Sequence, residues 1–262
     1  MIDLHCHLLP GLDDGPGSVE ESVRMARAAL EDGVDCLVAT PHIDHVHHVE
    51  PRHILESTLA LRRALREVDL PLRVLTGGEV TIARAAELSD AELRAVALGT
   101  SSWVLLECPL VRGAGSLEET VFSLQLRGFR ALLAHPERSP QLMGDVDRVE
   151  ELVRRGALCS VSGGALLGRF GSMARVFARK LLDQGLVHNV GSDAHDGEKR
   201  PPTLARALEA AVTGASRHPV TARWLGHDVP EALLADGPLP PRPVPGRWRG
   251  GARRWHSLAE RP

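Results

Sequence analysis

The sequence predicts an α/β fold with a parallel sheet closed as a seven-stranded barrel, and three observations carry that prediction. Seven short β-rich apolar runs alternate with helix-patterned segments. Strand, helix, strand repeated along a chain calls for right-handed crossovers in a parallel sheet, either closed or open and doubly wound. No Gly-x-Gly-x-x-Gly follows any strand, which weakens the open, dinucleotide-binding alternative. Six of the seven strands end in histidine or an acid, as a barrel with one reactive face would require.

In order, the strands are Ile2–His5, Asp35–Thr40, Leu72–Thr76, Trp103–Glu107, Arg130–Ala134, Leu158–Ser162 and Val187–Gly191. The first helix begins at a capping box, Ser18 with Glu21 three residues on, and stops at Gly33. Ser116 with Glu119 repeats that start signal ahead of Val121–Leu126. Residues 1–228 therefore form the folded domain. After Asp228 the composition changes, and residues 236–262 carry repeated Pro, Gly and Arg with Trp248 and Trp255 but no apolar period. The segment 229–262 is expected to be a flexible Pro/Arg-rich C-terminal extension, its arginines a solvated end.

With 43% hydrophobic and 25% charged residues over 262 positions, the chain is globular rather than disordered. A net charge of -3 gives no basic field for nucleic acid or an anionic membrane. The start Met-Ile-Asp-Leu-His has no basic, apolar leader, and no apolar run reaches the roughly 18 residues of a membrane span. A cytoplasmic protein without membrane insertion is expected. Cys6, Cys36, Cys108 and Cys159 are scattered in apolar runs, so they read as reduced core thiols. None is followed six positions later by the arginine that a cysteine phosphatase needs: Leu12, His42, Ala114 and Ala165 stand there.

The chemistry lies at the strand ends. His5 and His7 close the first strand, and His42, Glu79, Glu107 and His135 follow the second to fifth in turn. Asp193 and His195 follow the seventh. In a parallel barrel these positions converge, although they run from residue 5 to residue 195. His-x-His on a strand sets both imidazoles on one face. Alone it is a weak signal, since two satisfied histidines look the same. Five histidines with several carboxylates describe a metal site, too rich for one tetrahedral ion and better suited to two or three.

In the turn after the first strand, Asp13 reads as an Asx-turn residue beside Gly15 and Pro16, and Asp14 as a ligand. Clustered ions of this kind hydrolyse phosphate esters by lowering the pKa of water and stabilising the attacking and leaving oxygens. Arg138 and Arg200 lie just past strands five and seven, placed to clamp a phosphate bidentately. His45, His47 and His48 read as a polar rim loop, and the Gly-rich segment 162–171 as a βα loop.

These motifs resemble the polymerase-and-histidinol-phosphatase (PHP) superfamily, and within it the bacterial manganese-dependent tyrosine-protein phosphatases of capsule and exopolysaccharide synthesis. The resemblance runs from Met1 to about Leu208. It is carried by the opening Met-Ile-Asp-Leu-His-Cys-His with Asp13-Asp14-Gly15-Pro16, by Ala39-Thr40-Pro41-His42, by Gly78-Glu79 and by Leu106-Glu107. Further along it rests on His135-Pro136-Glu137-Arg138, Gly168-Arg169-Phe170-Gly171, Ser192-Asp193-Ala194-His195 and Arg200-Pro201-Pro202.

The resemblance implies a distorted (β/α)7 TIM-like barrel, the PHP fold, with a trinuclear centre usually described with manganese; zinc, iron and cobalt are the alternatives. Its implied ligands are His5, His7, Asp14, His42, Glu79, Glu107, His135, Asp193 and His195, with Arg138 and Arg200 binding phosphate. The implied substrate is a phosphotyrosine protein, typically a partner bacterial tyrosine kinase. This chain holds no tyrosine, so that phosphotyrosine belongs to another molecule. Cys6 where serine is common, the His-rich loop and the C-terminal extension depart from the family pattern. The competing readings are another PHP phosphoesterase, acting on histidinol phosphate or a small molecule, and a non-catalytic metal-binding module.

Overall fold

The computed structural model describes residues 1–113, 115–213 and 220–243. The chain runs β1 (Ile2–Cys6), α1 (Val19–Glu31), β2 (Cys36–Ala39), β3 (His42–Ile43), α2 (Pro51–Glu67), β4 (Arg73–Thr76) and β5 (Glu79–Thr81). Helices α3 (Ile82–Glu87) and α4 (Asp90–Val96) lead to β6 (Trp103–Glu107), α5 (Leu117–Leu126) and β7 (Arg130–Ala134). A 3-10 turn (Pro136–Arg138) precedes α6 (Val146–Arg154), β8 (Leu158–Ser162), α7 (Gly163–Leu166), α8 (Gly171–Asp183) and β9 (Asn189–Gly191). Helix α9 (Leu204–Val212), a π-helical turn (Trp224–Asp228) and α10 (Val229–Leu234) end the described fold.

All strand pairs are parallel, in two sheets of order β1-β2-β4 and β3-β5-β6-β7-β8-β9. The runs predicted at 103–107, 130–134 and 158–162 form strands with those bounds. The second and third predicted strands end at Ala39 and Thr76, close to the expected Thr40 and at the expected Thr76, and the chain then adds two short strands from His42 and Glu79 that the sequence did not predict. Pro41 has no N–H for the ladder and Gly77-Gly78 has no side chains to pack, so pairing lapses at both points. Edge strands β1 and β9 meet where Asp193 N–H donates to His5 O at 2.8 Å and His7 N–H to Ala194 O at 2.8 Å.

Strands β1, β2, β8 and β9 are buried along their whole length, and Leu4, Leu37, Leu105 and Leu132 are wholly enclosed. Each such leucine contributes roughly 1.5–3 kcal/mol relative to exposure. The helices cover them amphipathically: α1 turns Met25, Ala26 and Ala29 inward, and α2 turns Ile54, Leu61 and Leu65. Ser18 caps α1 by accepting the Glu21 N–H at 3.3 Å, but Glu21 returns to the N–H of Gly17 at 2.7 Å, one residue early. Ser116 caps α5 through Glu119 N–H alone. The reciprocal box forms instead at Ser89 and Glu92, before α4. Gly33, at φ +93, follows the end of α1 in the left-handed conformation that only glycine adopts freely.

The extension expected from residue 229 is packed rather than loose in its first part. Val229 and Leu233 of α10 are wholly buried, Trp224 Nε1–H donates to Pro240 O at 3.2 Å, and Arg242 donates to Gly185 O at 2.7 Å. Three buried residues on a six-residue helix leave too short a period to be recognised in sequence. Residues 244–262, with Trp248 and Trp255, lie outside the described residues. Among the described residues, no helix is long and apolar enough to cross a membrane.

Candidate metal centre

His5 sits near the end of β1 and His7 just past it, with their Nε2 atoms 3.3 Å apart. Cys6 between them is wholly buried on the other side, its Sγ 3.8 Å from Ala194 O, as strand alternation predicts. His42 opens β3 and Glu79 opens β5, paired in register. Glu107 ends β6, and His135 follows β7. Asp193 and His195 follow β9. His135 and Asp193 take φ values of 35° and 53°, a left-handed backbone that costs non-glycine residues of order 1–3 kcal/mol and gathers where geometry is functional. Two predicted site residues thus stand on strained turns at the ends of parallel strands.

Glu79 is the hub. Its Oε1 lies 2.7 Å from His135 Nε2. Its Oε2 lies 3.2 Å from His5 Nε2, 3.3 Å from His7 Nε2 and 3.3 Å from His42 Nδ1, yet no donor is aligned on it. His42 Nδ1, His135 Nδ1 and His195 Nε2 are likewise buried without a hydrogen-bond partner. Leaving such groups unmet costs roughly 1–3 kcal/mol each, unless something else binds them. Four overlapping sets of side chains have ligand atoms close enough to share an ion: His7-Asp14-His42-His195, His5-His7-Asp193, His5-Glu79-His135 and His42-Glu79-Glu107. Neutral imidazoles beside carboxylates are the donors that divalent transition metals take, so the residues present fit metal ions.

Charge is distributed to the same end. Burial lowers His135 and brings His42 down to about 4, which leaves lone pairs available at neutral pH. Asp193 stays ionised because His5, His135, Arg200 and Arg138 outweigh its burial. Asp14 is held low by His195, whose Nε2 lies 3.3 Å from its Oδ1, with His42 and His7 adding to the effect. Burial, reinforced by the Glu79 charge, pushes Glu107 up to about 8. For His7 burial acts downward, but the Asp13 hydrogen bond and the nearby Asp13 and Glu79 charges carry it up to about 10. Without cations the cluster therefore retains protons that metal binding would displace.

Asp13 does more than the Asx turn expected of it. Its Oδ1 accepts the Gly15 N–H at 3.0 Å, which is that turn. Its Oδ2 lies 2.6 Å from His7 Nδ1 and accepts the His42 N–H at 2.9 Å, so it orients His7 and leaves Nε2 pointing into the cluster. An acid six residues after a ligand histidine was the available signal, masked by the turn chemistry of Gly15 and Pro16. Glu137, to which the sequence assigned no role of its own, is also buried and accepts the Ser162 N–H at 2.8 Å, tying the turn after β7 to β8.

The two predicted phosphate ligands are at the cluster's edge, and both are held by one carboxylate. Arg138 Nη1 donates to Asp193 Oδ2 at 2.8 Å, and Arg200 Nη2 donates to Asp193 Oδ1 at 2.7 Å. In the His-rich loop, His47 stacks on His42 with centroids 5.1 Å apart and hydrogen-bonds Asp44 at 2.9 Å. His45 turns away to the exposed Glu87. A cavity of about 550 Å³ opens beside Asp14 and His195, walled by Pro16, Met25 and Ala28 on one side and Asp196 to Lys199 on the other.

The chain is 33% identical over 258 residues to the tyrosine-protein phosphatase YwqE of Bacillus subtilis, covering 94% of this chain and 98% of the relative. It superposes with a TM-score of 0.75 and 32% identity on a solved structure from a study of YwqE and Streptococcus pneumoniae CpsB, described as unique metal-dependent tyrosine phosphatases. That match covers 93% of this chain and 99% of the other. An organophosphorus hydrolase from Deinococcus radiodurans, a TIM-barrel-like enzyme, matches with a TM-score of 0.56 at 15% identity over 89% of this chain and 92% of its own, a likeness of fold alone. The profile described as capsular polysaccharide synthesis, CpsB/CapC, matches residues 1–223, and the chain belongs to that family.

Proposed function

We propose that this protein is a metal-dependent protein-tyrosine phosphatase whose substrate is a phosphotyrosine on another protein, a bacterial tyrosine kinase of capsule or exopolysaccharide synthesis foremost. The observation that carries the reading is Glu79 Oε2, enclosed by three imidazole nitrogens at 3.2–3.3 Å with no donor aligned on it. His5, His7, Asp14, His42, Glu79, Glu107, His135, Asp193 and His195 would hold two or three divalent ions, manganese first. Such ions, when bound, activate water and neutralise charge on a phosphoryl group.

The chain's own residues supply the rest. Arg138 and Arg200 bring two planar guanidiniums to the edge of the cluster, suited to two phosphate oxygens. Asp13 fixes the His7 ring, and Asp193 stays anionic beside both arginines. The cavity beside Asp14 offers the apolar walls of Pro16, Met25 and Ala28 to a tyrosyl ring and its neighbours. Contact between β1 and β9 supports a barrel closed as a distorted (β/α)7 ring. Packing through Arg242 supports a catalytic domain that extends past residue 228 at least to that arginine. Four buried, unpaired cysteines support a reducing, cytoplasmic setting.

The test is an assay of metal-depleted protein, re-supplied with manganese, zinc, iron, cobalt or magnesium one at a time, on a phosphotyrosine peptide and on histidinol phosphate. Peptide hydrolysis restored by one or more ions is the expected result. Full activity after elemental analysis has confirmed metal removal defeats metal dependence; preference for histidinol phosphate transfers the chain to the small-molecule phosphoesterases.

A further inference from the structure

We propose that Phe170 is a positioning residue whose ring holds the Arg138 and Arg200 guanidiniums together for one phosphate, an inference that rests on the phosphate-binding role proposed for those arginines. Arg138 Cζ lies 4.1 Å from the Phe170 ring centroid and Arg200 Cζ 5.8 Å from it. Both distances fall within the reach of a cation over an aromatic ring, about 6 Å. The three side chains come from separate loops. Arg138 ends the turn after β7, Arg200 follows β9, and Phe170 lies between α7 and α8 in the connection that leaves β8.

The ring is seated there by its neighbour. A Cβ on Gly164 would stand 2.7 Å from Phe170 Cε2, so residue 164 has to be glycine for the ring to occupy this place. This gives a specific task to the Gly-rich segment 162–171. The chain has only four phenylalanines and no tyrosine, and this one is packed at the edge of the core beneath two cations.

Asp193 grips the same two arginines, one oxygen to each. A metal ion held by His5, His7 and Asp193 would draw on one of those oxygens, whereas it would leave the ring contact untouched. Phe170 is therefore the support that remains to the arginines when Asp193 is shared with a cation. A guanidinium is weakly hydrated and flat, so it rests on a ring without giving up its in-plane donors. Arginines already ordered lose less freedom when phosphate arrives.

The experiment is a mutant cycle on the metal-loaded full chain, with inorganic phosphate binding measured by calorimetry and kcat and KM measured on a phosphotyrosine peptide. Phe170→Leu keeps apolar bulk and removes the ring face; Phe170→Tyr keeps the face. We expect Phe170→Leu to weaken phosphate binding and raise KM roughly 3- to 30-fold at unchanged metal content. Phe170→Tyr should recover most of the loss, and Gly164→Ala, which displaces the ring without altering it, should reproduce it. In an Arg138→Ala/Arg200→Ala background, Phe170→Leu should change phosphate binding no further. An equal loss in that background, or unchanged phosphate affinity in Phe170→Leu, overturns the proposal and makes the ring mere packing. Wild-type phosphate affinity in the arginine-free background overturns the premise instead, and so separates the two failures.

Discussion

At both ends of the strands, arginines rest on aromatic rings, and the two ends use the arrangement differently. At the N-terminal ends Arg130 lies 4.5 Å over Trp103 and Arg242 lies 4.4 Å over Trp224. Their donors go to Ser102 Oγ, to Asp236, and to the carbonyls of Gly185 and Val187. These contacts tie the last described segment to the sheet and close that end. At the C-terminal ends Arg138 and Arg200 lie over Phe170, but both donate to one buried carboxylate, Asp193, itself 3.6 Å from His5 Nε2. Around them stand buried polar atoms that no protein group satisfies. The same pairing ties chain segments together at one end, where Trp103 Nε1 and Arg242 Nη1 are buried donors left unmet, and at the other it stands beside the unmet metal-ligating atoms of Glu79, His42, His135 and His195.

The most direct way to break this contrast is to remove a ligand from the open end. His7→Ala and Asp193→Ala should each lower kcat/KM on a phosphotyrosine peptide by roughly 10³-fold or more, about 4 kcal/mol, while circular dichroism remains native. Near-normal turnover with a full metal complement would remove that residue from the cluster. Acid should act on the closed end. His188 starts the approach to β9 and accepts the Cys159 N–H, and burial with the Arg242 charge brings it down to about 3. Its folded value lies below the ordinary 6.5 or so, so the neutral ring favours the folded state. That contribution is complete above about pH 6.5 and fades toward pH 3, by about 1.4 kcal/mol per pH unit inside the window. Denaturant midpoints across pH should flatten in His188→Gln relative to wild type; identical slopes would show that the ring titrates normally.

Smaller effects sharpen the picture of the open end. Arg138→Lys and Arg200→Lys keep charge but lose the planar fork, so each should lose about 1.5–3 kcal/mol, roughly one to two powers of ten in kcat/KM. Elemental analysis of the same batches should find metal content unchanged; a loss of metal would make the arginines structural. Asp13→Asn should weaken metal affinity about 10- to 100-fold through its hold on His7, read from metal titration of depleted protein. Cys6→Ser should alter kcat/KM least, within about a factor of three. A loss approaching that of His7→Ala would bring the thiol into the chemistry, against its buried position away from the cluster.

By itself the sequence determined the parallel α/β order, the bounds of β6, β7 and β8, and the strand-end residues that meet in one cluster. The reason is that each is written locally. A buried parallel strand is a continuous apolar run, and chemistry at a C-terminal strand end is the next polar residue along. Only the tertiary structure decided that the chain pairs again at His42 and Glu79, beyond Pro41 and Gly77-Gly78, because strands of two and three residues carry no apolar run to read. Only it decided that Asp13 orients His7 while also making its Asx turn, since one carboxylate has two oxygens and sequence assigns a residue one role. The capping box moved to Ser89 for a similar reason, because Glu21 had another N–H in reach. Packing of α10 and Arg242 depends on single contacts that carry no period. The meeting of Arg138, Phe170 and Arg200 depends on three separate loops brought side by side, and no spacing along the chain encodes that distance.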